Sequence, residues 1–269
     1  MLVAACMLAA RFACATGQPP EPEPPPGCAA GERGPAYDYL VLIIDDVGNS
    51  RARGLRAISL PGNITYAVMP FTPFGEELAL AAQQAGREVM LHAPMSTLEG
   101  SPLGEGGLTP ELSREQFRQR LNAALEDVPN IRGVNNHMGS QLTQLRPQMA
   151  WLMQELRLRD LYFVDSRTSD LTVAATVAGE FRVPHLSRQV FLDNERNAVD
   201  IAARFEELVA RAQEEGIAVG IGHPYGVTID YLGEVLPTLE ERGLRTLFVS
   251  QAIEKQGAQS RTSIPCSAM

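Results

Sequence analysis

Short, almost continuously apolar runs recur along this chain at residues 39–44, 64–68, 88–91, 131–135, 161–164, 183–186, 217–221 and 246–249. Amphipathic stretches separate them. A strand with one wet face alternates apolar and polar residues, whereas a strand covered on both faces reads as an unbroken apolar run. The pattern predicts parallel strands buried on both sides and joined by helices. Ser113-Arg114-Glu115-Gln116 is a capping-box sequence, opening a helix that puts Phe117, Leu121, Ala124 and Leu125 on one face. Pro147 suits the first turn of a helix carrying Met149, Leu152, Met153 and Leu156. A third helix carries Val199, Ala202, Phe205, Leu208, Val209 and Ala212 and stops near Gly216. Repeated β-α units with right-handed crossovers give a doubly wound sheet or a (β/α) barrel, and this many in one domain favour the barrel.

Charge narrows the partners. With 23 Lys and Arg against 32 Asp and Glu, a net charge of −9 argues against nucleic acid, whose phosphates call for clustered cations. Cys6, Cys14, Cys28 and Cys266 all lie towards the termini, so neither a disulfide framework nor a Cys-ligated metal organises the body. Residues 1–36 read as a signal-like apolar segment followed by the proline-rich linker GQPPEPEPPPG. The apolar segment, interrupted by Arg11, is too short for a stable transmembrane span. It points to export, with the periplasm as destination. Val3-Ala4-Ala5-Cys6 also resembles a lipoprotein cleavage box, which implies a lipid anchor if the true start lies upstream. The folded domain is expected over residues 37–256, with 257–269 as a flexible tail.

The polar residues that follow the apolar runs matter most. Leu40–Ile44 runs into Asp45-Asp46, the run at 88–91 into His92, and that at 131–135 towards His137. Those at 161–164 and 217–221 lead to Asp165 and to Gly222-His223. In parallel α/β folds the carboxyl ends of the strands converge on one face, where ligands bind. Taken singly, Asp45 and Asp46 read as helix caps and a lone histidine as a hydrogen-bonded core residue. Together they place three of the four histidines on one rim, with His185 left as structural. Two imidazoles and a carboxylate suit a divalent metal, Zn²⁺ best, with a position left open for water. The Gly- and Pro-rich connection at 96–112 is the longest loop and is expected to border this rim.

The strings LVLIIDDVG, EVMLHAPM, GVNNHMGSQLT, LYFVDSRTS, QVFLDNE and IGHP, in that order, resemble the divergent polysaccharide deacetylases. These are a distant branch of the NodB-type carbohydrate esterases. The resemblance implies a distorted seven-stranded (β/α) barrel and metal-dependent removal of N- or O-linked acetyl groups from an envelope polysaccharide or oligosaccharide. It makes Asp45 the base, Asp46 a metal ligand, His223 the general acid and Asp165 the partner that orients it. The usual second histidine, four residues after the first, is replaced here by Ser96. His137 is the nearest substitute, giving the metal set Asp46, His92 and His137, one member of which His223 could replace. Arg188 is read either as reaching the site or as a surface charge. Two other functions compete: a non-catalytic envelope factor binding glycan or protein, and a different metal hydrolase on the same rim. Neither the sugar nor any protein partner can be read from the sequence.

Overall fold

The structure is a computed structural model that describes residues 37–262. The readings placed on residues 1–36 and 263–269 lie outside the described residues. The chain alternates β1 (Asp38–Val47), α1 (Arg51–Ile58), β2 (Ile64–Val68), α2 (Gly75–Gln84), β3 (Glu88–Met95), α3 (Arg114–Asp127) and β4 (Ile131–Met138). It continues through α4 (Arg146–Leu158), β5 (Tyr162–Asp165), α5 (Ala174–Glu180), β6 (His185–Ser187) and β7 (Val190–Phe191). The last elements are α6 (Ala198–Glu215), β8 (Ile217–Gly222), α7 (Gly226–Val235), β9 (Leu244–Thr246) and α8 (Val249–Thr262).

Every strand pairing is parallel, and the order is β6-β5-β4-β3-β2-β1-β8-β7, with β9 added to the start of β1. The sheet curls into a half-barrel of barrel type, as expected. Its strand count differs from the expected seven: eight strands lie on the path, because β7 is a separate two-residue strand. No β6–β7 pairing closes the ring among the described residues, although only Arg188 and Gln189 connect these two strands.

Both faces of the sheet are apolar, which is why its strands read as unbroken runs. On β1, Leu40, Leu42 and Ile44 point out towards the helices, while Val41 and Ile43 point in. The inner face also holds Ala67, Met90, Tyr162, Val164, Leu186, Val219 and Ile221. Val249 and Ala252 of α8 fill the interior from the amino-terminal ends of the strands. Buried Glu88 ties this floor together. It accepts hydrogen bonds from Thr65 Oγ1 at 3.1 Å, Tyr162 Oη at 2.9 Å and the Ser250 backbone N–H at 3.2 Å, and also from the Ser250 hydroxyl.

Gly133 of β4 lies against the Tyr162 ring so closely that a Cβ there would overlap it. Gly133→Ala must displace a tyrosine anchored to Glu88. The expected loss is about 1–3 kcal/mol of unfolding free energy, the usual cost of overpacking, and urea denaturation measures it.

Three local readings change. The run at 246–249 does not form a strand, since β9 ends at Thr246. Val249, Ala252 and Ile253 instead follow the i, i+3, i+4 spacing of a helix face. Val199 is 79% exposed, and Ile201 takes the buried position in α6, whose start is set by the Asn197 side chain accepting from Asp200 N–H. The final helix also runs through Gly257 to Thr262, into the stretch expected to be a tail.

Candidate metal centre

Strand alternation decides which rim residues face inward. Continuing the inward register of Val41 and Ile43 brings Asp45 to the interior. Met90 leads in the same way to His92, Val164 to Ser166, Phe191 to Asp193, and Ile221 to His223. Asn135 of β4 lies in register with His92, and His137 with Pro94. Asp46 should point away by this rule. The β1–β2 register shifts between Ile44 and Val47, however, and Asp46 adopts φ 54°, a left-handed conformation that Asp tolerates better than most residues. This bulge turns two consecutive aspartates towards one site.

The structure brings Asp46, His92 and His137 together. Asp46 Oδ1 lies 2.9 Å from His137 Nδ1 and 3.2 Å from His92 Nε2, and the two nitrogens are 3.1 Å apart. Ligand atoms of a tetrahedral zinc, with bonds of ~2.0 Å, sit about 3.3 Å from one another. Asp46 Oδ1 is also buried with no hydrogen-bond partner, although both ring nitrogens crowd it. An orphaned carboxylate oxygen in a triangle of this size fits a shared divalent cation better than a protein–protein hydrogen bond. Burial pushes the Asp46 carboxyl up, but His137 and His92 outweigh it and hold it well below the ordinary carboxylate range.

Asn135, fully buried, links this triangle to Asp45. Its Oδ1 lies 2.7 Å from His92 Nδ1 and its Nδ2 donates to Asp45 Oδ1 at 2.8 Å. An amide oxygen can only accept, so His92 carries its proton on Nδ1 and presents the Nε2 lone pair to the site. Asp45 Oδ2 remains directed inward, 3.6 Å from His92 Nε2. Burial raises the Asp45 carboxyl above its ordinary value, opposed by His92 and His223. Asn135→Ala is expected to weaken metal affinity about 10- to 100-fold by freeing the His92 ring, as zinc titration against a competing chelator would measure.

His223 stands on the other side of Asp46, its Nε2 4.0 Å from Asp46 Oδ2. Its orienting partner is Asp193, which departs from the expectation for Asp165. His223 Nδ1 lies 2.8 Å from Asp193 Oδ1, while the His223 backbone N–H and the Thr228 hydroxyl donate to Asp193 Oδ2. Burial lowers the imidazole pKa, but Asp193, Asp45 and Asp46 raise it to about 9. Asp165 cannot serve, because it shares the outward register of Phe163. Its oxygens accept from Arg167 N–H at 2.8 Å and Thr172 Oγ1 at 2.9 Å. Asp193 and Asn135 were both present in the quoted strings but carried no role there. His185 stays outside the site, its Nδ1 3.0 Å from Val183 O.

A sequence model of the divergent polysaccharide deacetylases matches residues 42–253. The uncharacterized protein YibQ of Escherichia coli strain K12 is 35% identical over 200 residues, which cover 74% of this chain and 63% of that protein. The chain thus spans under two thirds of YibQ's length. An uncharacterized protein of Haemophilus influenzae strain ATCC 51907 / DSM 11121 / KW20 / Rd is 34% identical over 206 residues, covering 77% of this chain and 74% of its own. The crystal structure of the uncharacterized protein ATU2773 from Agrobacterium tumefaciens C58 aligns with a TM-score of 0.78 over 82% of this chain and 91% of that one. At 21% identity, that last likeness is one of fold. By the sequence model that spans most of its length, the chain belongs to the divergent polysaccharide deacetylase family.

Proposed function

We propose that this chain is a metal-dependent hydrolase that removes N- or O-linked acetyl groups from a polysaccharide or oligosaccharide of the cell envelope, acting in the periplasm. The observation that carries the reading is the ligand triangle of Asp46, His92 and His137, flanked by a carboxylate on one side and a histidine on the other. Those three residues would hold the cation, and their nitrogen and oxygen donors suit zinc. Once bound, it supplies Lewis acidity to the acetyl carbonyl and to water.

The chain's own residues divide the proton work. Asp45 Oδ2, aimed inward by Asn135, accepts the proton of the attacking water. His223, whose charged form Asp193 favours, gives its proton to the departing amine or alkoxide. Asp193 fixes the ring and stabilises its charged form.

The test pairs elemental analysis with acetate release from a panel of acetylated oligosaccharides. One tightly held divalent ion is expected, lost in His137→Ala and weakened in Asp46→Asn, whose amide cannot neutralise the cation. Unchanged metal content in both variants removes the metal assignment. A metal-loaded protein that releases no acetate from any substrate of the panel hands the site to the binding-factor reading.

A further inference from the structure

The His223 imidazole stacks with two aromatic rings. The Phe191 ring lies 6.3 Å from its imidazole at 21°, and the Tyr225 ring lies 5.4 Å away at 27°. A guanidinium lies over each of these rings: Arg188 at 3.8 Å from the Phe191 centroid and Arg196 at 4.0 Å from that of Tyr225. Arg196 also donates to Tyr225 Oη at 2.8 Å.

Neither arginine has a carboxylate partner among the described residues, although acidic residues outnumber basic ones in the chain. The neighbouring helix residues Arg204 and Arg211 are both ion-paired, to Glu207. Half-buried Arg188 is held by the backbone oxygens of Ser166 and Arg167, each at 2.6 Å. Those contacts orient the guanidinium without neutralising it. Asp165, Asp170 and Asp45 offset its charge from a distance, but none contacts it, and a partly desolvated cation so weakly paired is costly to keep. Burial and the Arg167 charge together lower its pKa to about 10. Arg167 itself occupies the left-handed region at φ 46°, a strained conformation for an arginine at the rim. The fold thus places two guanidiniums, each one aromatic ring away, beside the residue read as the acid.

We infer that the site takes an anionic glycan, with Arg188 and Arg196 binding carboxylate or phosphate oxyanions on the sugars that flank the acetylated one. The inference rests on the reading of this rim as a glycan site. The acetylated sugar meets the His223 edge, and its neighbours reach the two guanidiniums. Guanidinium groups suit this task because their planar donor fork matches carboxylate and phosphate oxygens.

Calorimetric titration of the full chain tests this without requiring turnover. Three probes of equal length are compared: a neutral N-acetylated amino-sugar oligosaccharide, one carrying a neighbouring uronic acid, and one carrying a neighbouring phosphomonoester. At least one anionic probe is expected to bind about tenfold tighter than the neutral one, the worth of one charge-assisted hydrogen bond. A preference confined to one probe supports the inference and names the source of the anion. The advantage should shrink with added salt and fall in Arg188→Gln and Arg196→Gln, while persisting in Arg159→Gln, which lies at the end of α4. Should Arg188→Gln fail to fold, the exposed Arg196→Gln carries the test. Equal affinity for all three probes, or an advantage that survives both substitutions, overturns the inference. Acetate release on the same panel is scored separately. A protein that prefers anions but hydrolyses nothing refutes the hydrolase reading alone, and one that hydrolyses all three without preference refutes the anion reading alone.

Discussion

Asp45→Asn is expected to lower kcat for acetate release by about 100- to 10,000-fold while leaving metal content nearly unchanged. The two halves of this result follow from different contacts. Asp45 Oδ2 lies 3.6 Å from His92 Nε2, against 2.9 Å and 3.2 Å for the separations of Asp46 Oδ1 from the two imidazoles. The cation triangle therefore forms without Asp45, and an isosteric amide leaves it standing. The amide cannot accept a proton from water, however: with its oxygen still accepting from Asn135 Nδ2, its NH₂ takes the place of Oδ2. Comparable loss of metal in Asp45→Asn and Asp46→Asn would show that both carboxylates ligate. Activity that survived the substitution would leave the fold standing and the role assignment wrong.

The second large effect is expected at Asp193. Asp193→Asn removes the carboxylate that does most to hold the His223 imidazole in its charged form. The His223 pKa should fall from about 9 towards its ordinary value of ~6.5. The acid must carry a proton to work, so the alkaline limb of the kcat profile should move to lower pH. Lost protonation at neutral pH accounts for only about fourfold at a pKa of ~6.5; the ring also loses the carboxylate that orients it, and together kcat should drop about 100-fold, within the range typical of a general acid. N-acetyl substrates should lose more than O-acetyl ones, because an amine leaves poorly without protonation and an alkoxide needs less help. The same contrast is expected, more strongly, for His223→Ala. The matching substitution at Asp165, whose oxygens face Arg167 N–H and Thr172, should leave the limb in place. A limb shift on Asp165→Asn and none on Asp193→Asn would reverse the assignment.

Much of the architecture was legible because both faces of the sheet are covered, which made the strands stand out as continuous apolar runs. The same property hid the parity of β5. Tyr162, Phe163 and Val164 are all buried, so nothing in the run shows which side Asp165 takes. Asp193 was obscure for another reason: β7 is only Val190–Phe191, too short to display a period. Asp45, Asp46, His92, His137 and His223 could be gathered from strand ends alone. The bulge that turns Asp46 inward could not, since it depends on how β1 pairs with β2. Asn135 read as one of two adjacent asparagines, and only its register with His92 separates it from Asn136, which donates to Met138 O instead.

The floor of the interior comes from α8, the last described element of the chain. A protein made from its amino terminus lays down all the strands before Val249 and Ala252 exist to cover their inner faces. Val41, Ile43, Met90 and Val219 must wait beside open space, and the Glu88 carboxylate must wait for Ser250. Completion is therefore a closing event that waits until every strand has been made, however early the outer helices dock. Until then the nascent chain carries an apolar hollow that a holding chaperone could occupy.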